Sequence, residues 1–219
     1  MSAQEIEMIL EGVRDTLYMT LAATLFGYII GLPWGIALTV TSKDGLHPHT
    51  VIYRILDVIT NIMRSIPFLI LLILVLPLTM LIVGKTYGST ATIVPLVISA
   101  APFIARMVES SLKEVDHGVI EAAQSMGASN LQIGLRVLLG EAKVSLISGA
   151  TIAVGTILGY SAMAGTVGGG GLGDIAIRYG YYRYQANILL VTVILLILLV
   201  QILQYIGNLI SVKLDKRHI

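Results

Sequence analysis

Five long apolar stretches constrain what this chain can fold into more than any other feature of its sequence. They cover about residues 17–40, 55–83, 91–109, 142–166 and 186–210. A helix needs about 20 mainly apolar residues to cross the hydrocarbon core of a bilayer. Of the 219 residues, 56% are hydrophobic and only 12% are charged, which is more apolar than soluble domains are. The sequence predicts an all-α integral membrane protein with five transmembrane helices.

The positive charges predict how these spans are oriented. Lys and Arg close to span ends are retained on the cytoplasmic side, and an odd number of spans puts the two termini on opposite sides. With the N-terminus outside, the inner side receives ten of the positive residues and the outer side four. The inner set is Lys43, Arg54, Arg64, Arg106, Lys113, Arg136, Lys143, Lys213, Lys216 and Arg217, and the outer set is Arg14, Lys85, Arg178 and Arg183. The charges therefore predict an N-out, C-in topology.

The N-terminal segment is acidic, and no small-residue cleavage site follows a short apolar run, so we expect no cleavable signal peptide. Residues 5–17 place apolar side chains at helical spacing among the acids. Two interpretations are open. The segment is either an amphipathic helix on the membrane surface that leads into the first span, or an ordinary polar leader.

Glycine and proline modify the predicted spans. Gly27, Gly31 and Gly35 recur every four residues in the first span, and Gly155 and Gly159 do so in the fourth. Such spacing lets helix backbones approach closely in lipid, so it predicts helix packing. Prolines lie within or at the ends of the spans, where they can kink a helix for a translocation path or for structure alone. The second stretch is uninterrupted only over 65–83, so we expect its earlier part to extend into the cytoplasm as a helix.

The longest inner connection, residues 110–141, predicts a helical hairpin. Asp116 can cap a first helix, and Gly127 can end it. Ser129 with Gln132 has the spacing of a capping box that opens a second helix. A hairpin of this kind is suited to a groove in a partner protein.

This hairpin resembles the coupling loop of bacterial ATP-binding-cassette importer permeases. Glu121, Ala122 and Ala123, followed by Gly127, match the EAA signature of that family. Nine residues past the glycine, the family signature continues with Ile, any residue, Leu and Pro, and this chain has Val137, Leu138, Leu139 and Gly140 there. Because Gly140 replaces the proline, we expect a looser hinge into the fourth span. The resemblance implies that Glu121, Ala122, Ala123, Ser125, Met126 and Gly127 couple the chain to a cytoplasmic ATPase.

Three further segments narrow the resemblance to the MetI-like permeases of methionine importers: RSIPF at 64–68, AAPFIARMVE at 100–109, and the run over 159–184. It implies one transmembrane domain over 1–219, in a bacterial inner membrane. It also implies a homodimer, two cytoplasmic ATPase subunits that bind ATP and Mg, an extracytoplasmic substrate-binding protein, and no catalysis or cofactor in this chain itself. A permease for another amino acid or small polar solute is the alternative.

The same resemblance places a pore set near the two-fold axis: Tyr160, Ser161, Met163 and Ala164. Two Met163 side chains would form a flexible apolar plug, although a lipid-facing or core Met is the other interpretation. For the outer loop we expect a tight turn at Gly169 and Gly170, and a dock for the binding protein that includes Tyr181 and Tyr182. These tyrosines also fit an interfacial aromatic belt. Arg64 either snorkels at the inner boundary or helps to close the inner mouth.

The sequence lacks the residues that a metal site, a stand-alone channel or an intramembrane enzyme would require. Cysteine is absent and the four His are scattered, so no metal site is indicated. We find no ionisable residue at the middle of a span, which a stand-alone channel or secondary transporter would use. Paired Asp or a Ser/His pair at depth, as an intramembrane enzyme needs, is also missing, and we expect no nucleic-acid partner.

Overall fold

The computed structural model describes residues 2–215, and the regular elements within that range are all helical. In chain order they are α1 (Ala3–Thr41), α2 (Thr50–Ser65), α3 (Phe68–Leu74), α4 (Leu76–Val83), α5 (Ser89–Lys113), α6 (His117–Ser125), α7 (Asn130–Gln132), a π-helix (Ile133–Leu138), α8 (Leu139–Glu141), α9 (Lys143–Ala164), a 3₁₀ turn (Gly165–Val167), α10 (Gly171–Ile175), a second π-helix (Ala176–Tyr181) and α11 (Ala186–Leu214). The predicted all-α class is confirmed.

Four helical segments of the described chain are long and apolar enough to cross a membrane, and they begin at Ala3, Ser89, Lys143 and Ala186. A fifth exists if the bent pair of α2 and α3 counts as one span. Two of the positive residues on which the orientation was predicted, Lys216 and Arg217, lie outside the described residues, as does His218.

Helix α1 is one continuous helix of 39 residues, capped by a reciprocal pair of hydrogen bonds between Ser2 and Glu5. Residues 5–17 are thus helical and continue directly into the first span as part of the same helix. No glycine or proline interrupts the helix between the acidic turns and the apolar ones, so nothing ends it there. At 1.5 Å per residue it is about 58 Å long, well beyond the thickness of the hydrocarbon core.

The second apolar stretch is not one helix, which corrects the predicted span 55–83. Helices α2 and α3 meet at an angle of 102°. Pro67 has no N–H and its ring disfavours a helical conformation at the preceding residue, and Ile66 has φ −79° and ψ 123°, which is extended. The chain therefore turns at this point, although apolar residues continue on both sides of it.

Helix α5 is the centre of the bundle, and α1 lies against it through its glycines. A methyl group added to Gly31 would come within 2.7 Å of the Ala101 carbonyl oxygen, and one added to Gly35 within 2.6 Å of that of Ala105. The predicted packing role of the first glycine series is confirmed. In the other pair, a Cβ added to Gly155 would lie 3.3 Å from the Gln204 Nε2 atom of α11, whereas a Cβ added to Gly159 would meet nothing within 4 Å.

We expect Gly35→Ala to lower the melting temperature of the purified protein in detergent. The added methyl meets backbone and the Cβ of Val108 at 2.6 Å, and overpacking of this kind costs about 1–3 kcal/mol. Gly140→Ala is the matched control, because a Cβ there meets nothing within 4 Å. Equal melting temperatures for the two variants would contradict the close contact between α1 and α5.

Candidate functional site

The hairpin between α5 and α9 has the caps that the sequence predicts. The Asp116 carboxylate accepts a hydrogen bond of 2.7 Å from the Gly118 N–H at the start of α6. Gly127 has φ +81°, a left-handed conformation that ends α6. Ser129 and Gln132 exchange the two hydrogen bonds of a capping box at α7. Local hydrogen bonds thus define both helix starts and the turn between them.

Five of the six predicted coupling residues are exposed: Glu121, Ala122, Ser125, Met126 and Gly127. Ala123 is half-buried and packs against the core, so it attaches the hairpin rather than presenting a surface. The Met126 side chain is 87% exposed, and Leu131 on α7 is 72% exposed. We call these exposed residues, with Leu131, the hairpin face. The apolar side chains of Met126 and Leu131 therefore project away from the rest of the described chain.

The hairpin joins α9 through a π-helix rather than through a break at Gly140. Ile133 and Leu138 of this π-helix are buried and anchor it in the core. Gly140 has a helical conformation inside α8, and the turn into α9 falls at Ala142 instead. Gly140 therefore does not break the helix, because unlike proline it keeps the N–H that a helix needs.

The structure divides the predicted pore set on α9 into two faces. Met163 is 48% exposed, and the Tyr160 ring stacks on Phe68 of α3 with centroids 4.7 Å apart and planes 4° apart. Ser161 and Ala164 are buried in the bundle, at 1% and 0% exposure. Ser161 donates a hydrogen bond to the Leu158 carbonyl of its own helix. Of the four, only Met163 is exposed, and Tyr160 is half-buried against the core.

The glycine loop after α9 forms the predicted tight turn, in which the Gly168 and Gly169 N–H groups donate to the Gly165 and Ala164 carbonyls, and it is packed among helices. Thr92 of α5 donates a hydrogen bond of 3.1 Å to the Gly169 carbonyl. Thr16 of α1 accepts one of 2.9 Å from the Leu172 N–H. A Cβ at Gly170 would lie 2.9 Å from the Ser89 hydroxyl oxygen. We call this set of contacts, from Thr16 and Thr92 to residues 168–172, the outer clasp.

The predicted outer dock is accordingly split between interior and surface. Gly169 is buried and Gly170 is half-buried within the outer clasp. Tyr181 and Tyr182 are 64% and 67% exposed, and their ring centroids are 5.3 Å apart. The glycines shape the loop, while only the tyrosines can contact another molecule or a headgroup region.

Sequence reasoning missed a cluster of charges between α2 and α5. Arg106 of α5 lies 2.6 Å from both the Asp57 carboxylate of α2 and the Glu109 carboxylate of its own helix. Lys113 also lies 2.6 Å from Glu109. The i, i+3 and i, i+4 spacings of the three α5 residues were a readable signal. Nothing in the sequence showed that Asp57 would face them.

An exposed helical hairpin on a bundle of apolar helices, with an open face on one of them, is typical of a membrane permease that works with separate partner proteins. Residues 20–217 match the family described as binding-protein-dependent transport system inner membrane component. The chain belongs to this family.

The individual relatives cover almost the whole chain. It is 50% identical over 211 residues to the probable D-methionine transport system permease protein MetI of Vibrio cholerae serotype O1, which covers 96% of this chain and 94% of that protein. It is 46% identical to the protein of the same description from Pasteurella multocida, over 93% of this chain and 94% of that one. A solved structure described as inward-facing conformations of the MetNI methionine ABC transporter matches with a TM-score of 0.97 and 45% identity, over 99% of this chain and 100% of that one.

We expect Thr16→Val to loosen the outer clasp. The substitution keeps the shape of the side chain but leaves the Leu172 N–H, which is fully buried, without its acceptor. An orphaned buried donor costs about 1–3 kcal/mol. Amide exchange should accelerate over residues 171–175, with a lower melting temperature.

Thr156→Val is the control for this substitution, because the Thr156 hydroxyl donates only to the Ile152 carbonyl of its own helix. It should leave exchange in residues 171–175 unchanged. Unaltered exchange in Thr16→Val as well would show that the hydrogen bond from Leu172 to Thr16 does not hold the loop.

Proposed function

We propose that this chain is the membrane-spanning permease subunit of an ATP-driven importer for methionine, in its D or L form or both. The observation that carries the proposal is the exposed hairpin with the EAA signature, in a chain that matches named D-methionine permeases over almost its full length. In this proposal the chain binds no cofactor and catalyses no reaction. ATP and Mg belong to two cytoplasmic ATPase subunits, and two copies of this chain form one pathway.

The proposed domain is a single transmembrane unit over 1–219, with its N-terminus outside and C-terminus inside and with α2 to α4 as the second of five spans. The positive residues favour this orientation. So does the position of the hairpin, because Asn130 hydrogen-bonds to the Leu46 carbonyl and contacts the His47 ring. The loop after α1 and the hairpin therefore share one end of the bundle, which would be the cytoplasmic end.

The hairpin face supports a docking role toward the ATPase subunits. Met126 and Leu131 are largely exposed, and apolar side chains on a helix commonly insert into a hydrophobic groove of a partner. Glu121 adds an acceptor for a basic or amide group of that partner. Closure of the ATPase pair around ATP would then move both hairpins as rigid bodies and alternate the access of the pathway.

For the gate, the geometry favours Met163 and the stacked pair of Tyr160 and Phe68. The open side of α9 includes Gly159, where an added Cβ meets nothing within 4 Å. A second copy facing that side would bring two Met163 side chains together, and an unbranched thioether fills an irregular gap well. Ser161 and Ala164 would support this face from behind.

At the outer end, the exposed Tyr181 and Tyr182 are the proposed contact for an extracytoplasmic binding protein. Amphipathic aromatic rings with polar tips suit such a contact, and they suit a headgroup region equally well. Gly169 and Gly170 would contribute only by keeping the loop close to α1 and α5.

Uptake by the reconstituted complex tests this function directly. Proteoliposomes with the permease, its ATPase and its binding protein should accumulate labelled D- or L-methionine only in the presence of ATP. The permease alone should show neither uptake nor ATP hydrolysis. A second labelled amino acid of similar size serves as the control for cargo.

Two results would contradict parts of the proposal. Accumulation of the other solute, but not of methionine, would favour the alternative cargo while retaining the importer class. Uptake or conductance by the permease without its ATPase would exclude that class.

We expect Gly127→Val to lower uptake per ATP hydrolysed while the chain still inserts into the membrane. A β-branched residue is strained at φ +81°, so the turn at the end of α6 should shift and misplace the hairpin face. The measurement is the ratio of methionine transported to phosphate released.

Gly84→Val is a matched control, because Gly84 also has a left-handed φ, +77°, and open space around its Cβ position. It imposes similar strain at the other end of the bundle and should leave the ratio of uptake to hydrolysis unchanged. An unchanged ratio in Gly127→Val would argue against the hairpin as the coupling element.

A further inference from the structure

The Glu109 carboxylate is the most deeply buried charge in the described chain, with 2% of its side chain exposed. It receives three donors: Arg106 Nη1 at 2.6 Å, Lys113 Nζ at 2.6 Å and the Tyr53 hydroxyl at 3.3 Å. A carboxylate removed from water in this way is stable only while it keeps such partners. Tyr53 belongs to α2, so one of the three donors comes from the neighbouring helix.

Arg106 makes the second connection between the two helices. Its Nη2 atom donates to the Asp57 carboxylate at 2.6 Å and to the Asn61 side-chain oxygen at 2.8 Å. Asp57 and Asn61 lie one turn apart on α2 and also hydrogen-bond to each other at 3.2 Å. The planar guanidinium thereby bridges Glu109 on α5 to two positions of α2, a geometry that a Lys ammonium cannot reproduce.

The apolar residues of α2 contribute partly buried contacts only, at Tyr53, Leu56 and Met63. Thr60 is its only buried residue. The apolar side chains of the helix lie largely on a different face and are 42–63% exposed: Val51, Ile52, Ile55, Val58, Ile59 and Ile62. The position of α2 against α5 therefore depends on the charged and polar groups between them, which we call the ionic junction: Tyr53, Asp57, Asn61, Arg106, Glu109 and Lys113.

The ionic junction lies between the hairpin and the stacked rings. Lys113 is the last residue of α5, and α6 begins at His117. At the other end, α2 stops at Ser65 and the bend leads directly to Phe68, which stacks on Tyr160. Any movement of the hairpin that displaces the end of α5 must either break the junction or carry α2 with it.

We propose that Arg106 and Glu109 are positioning residues that bind α2 to α5 as one mechanical unit, so that displacement of the hairpin reaches Phe68 and the Tyr160 face of α9. The proposal rests on the proposed function and adds to it the residues that connect its two ends. Breaking a buried ion pair leaves an uncompensated charge. The junction therefore stays intact when α5 shifts, and α2 carries the displacement through the bend at Ile66 and Pro67 to Phe68.

The absence of cysteine from the sequence allows a direct test in the reconstituted complex. A spin label at Ile55→Cys, which is 54% exposed on α2, reports how tightly that helix is held. Asp57→Asn, Arg106→Gln and Glu109→Gln should each raise the mobility of the label and lower uptake per ATP roughly tenfold, the size expected for coupling between contacting charges. Asp57→Glu retains the charge and should retain an immobile label.

The double variant Asp57→Asn with Arg106→Gln tests whether the two residues act through one shared contact or independently of each other. If the two residues act through their shared contact, the double variant loses no more than the more severe single one. Asp174→Asn is the control, because it removes an ion pair of 2.7 Å with Arg178 inside the outer segment. It should leave the label on α2 unchanged.

An immobile label in both Asp57→Asn and Arg106→Gln would overturn the proposal, and so would fully additive losses of uptake. Asp57 is 29% exposed on its side chain, so its variant remains informative even if the more buried Arg106 variant fails to fold. A complex without substitutions that takes up no methionine would instead refute the proposed function. The label mobility still tests the junction in that case.

Discussion

Helix α1 can touch the backbone of α5 because Gly31 and Gly35 carry no side chain at the point of contact. Lipid supplies no hydrophobic force between membrane helices, so association depends on close packing and on polar contacts. The approach leaves the other faces of α5 free for different partners. Its N-terminal turns support the outer clasp through Thr92, and its C-terminal turns carry Arg106 and Glu109 toward α2. The remaining elements are thus placed relative to a single helix pair, and a side chain at either glycine would displace them together.

The two ends of the bundle differ in how their polar groups are satisfied. At the end that carries the outer clasp, Thr16 and Thr92 satisfy backbone groups of a buried glycine loop, which would otherwise lack hydrogen-bond partners. At the inner end, the hairpin satisfies its own backbone through the caps at Asp116 and Ser129 and leaves its apolar side chains open. A closed end and an open end follow from the same requirement. At the closed end, side chains of neighbouring helices satisfy the backbone groups of the loop. At the open end, the hairpin satisfies its own backbone, and its exposed surface can contact another protein.

Structural features that depend only on a few neighbouring residues could be predicted from the sequence. The caps at Asp116 and Ser129 and the left-handed Gly127 depend on local hydrogen bonds and local sterics, and the structure has all three. The long apolar helix α11 was equally clear. Predictions were incomplete where they depended on which neighbouring helix a given helix face contacts. Ser161 and Ala164 point into the bundle because α9 turns its other side outward, and the apolar pattern alone does not say which side that is. The same limit applies to Asp57, whose role depends on α2 meeting α5 after a 102° bend. Pro67 signals a break, but no residue encodes its direction.

The hairpin leaves the bundle through two connections of unequal stiffness. On the α5 side, buried charges tie the last turns of the helix to α2. On the α9 side, the chain passes through a π-helix, a three-residue helix and Gly140, where no neighbour lies within 4 Å of a Cβ. Irregular helical segments deform more readily than regular ones and often occur at functional sites. In the proposed coupling, a force applied to the hairpin face is transmitted along α5 and α2 through the ionic junction, while the irregular connection to α9 deforms. Glycine at position 140, where the related signature has proline, fits this division. Opening of the stack between Tyr160 and Phe68 then requires α3 to move relative to α9, which is held to α5 directly by the hydrogen bond between Ser145 and Ser111 as well as through the hairpin.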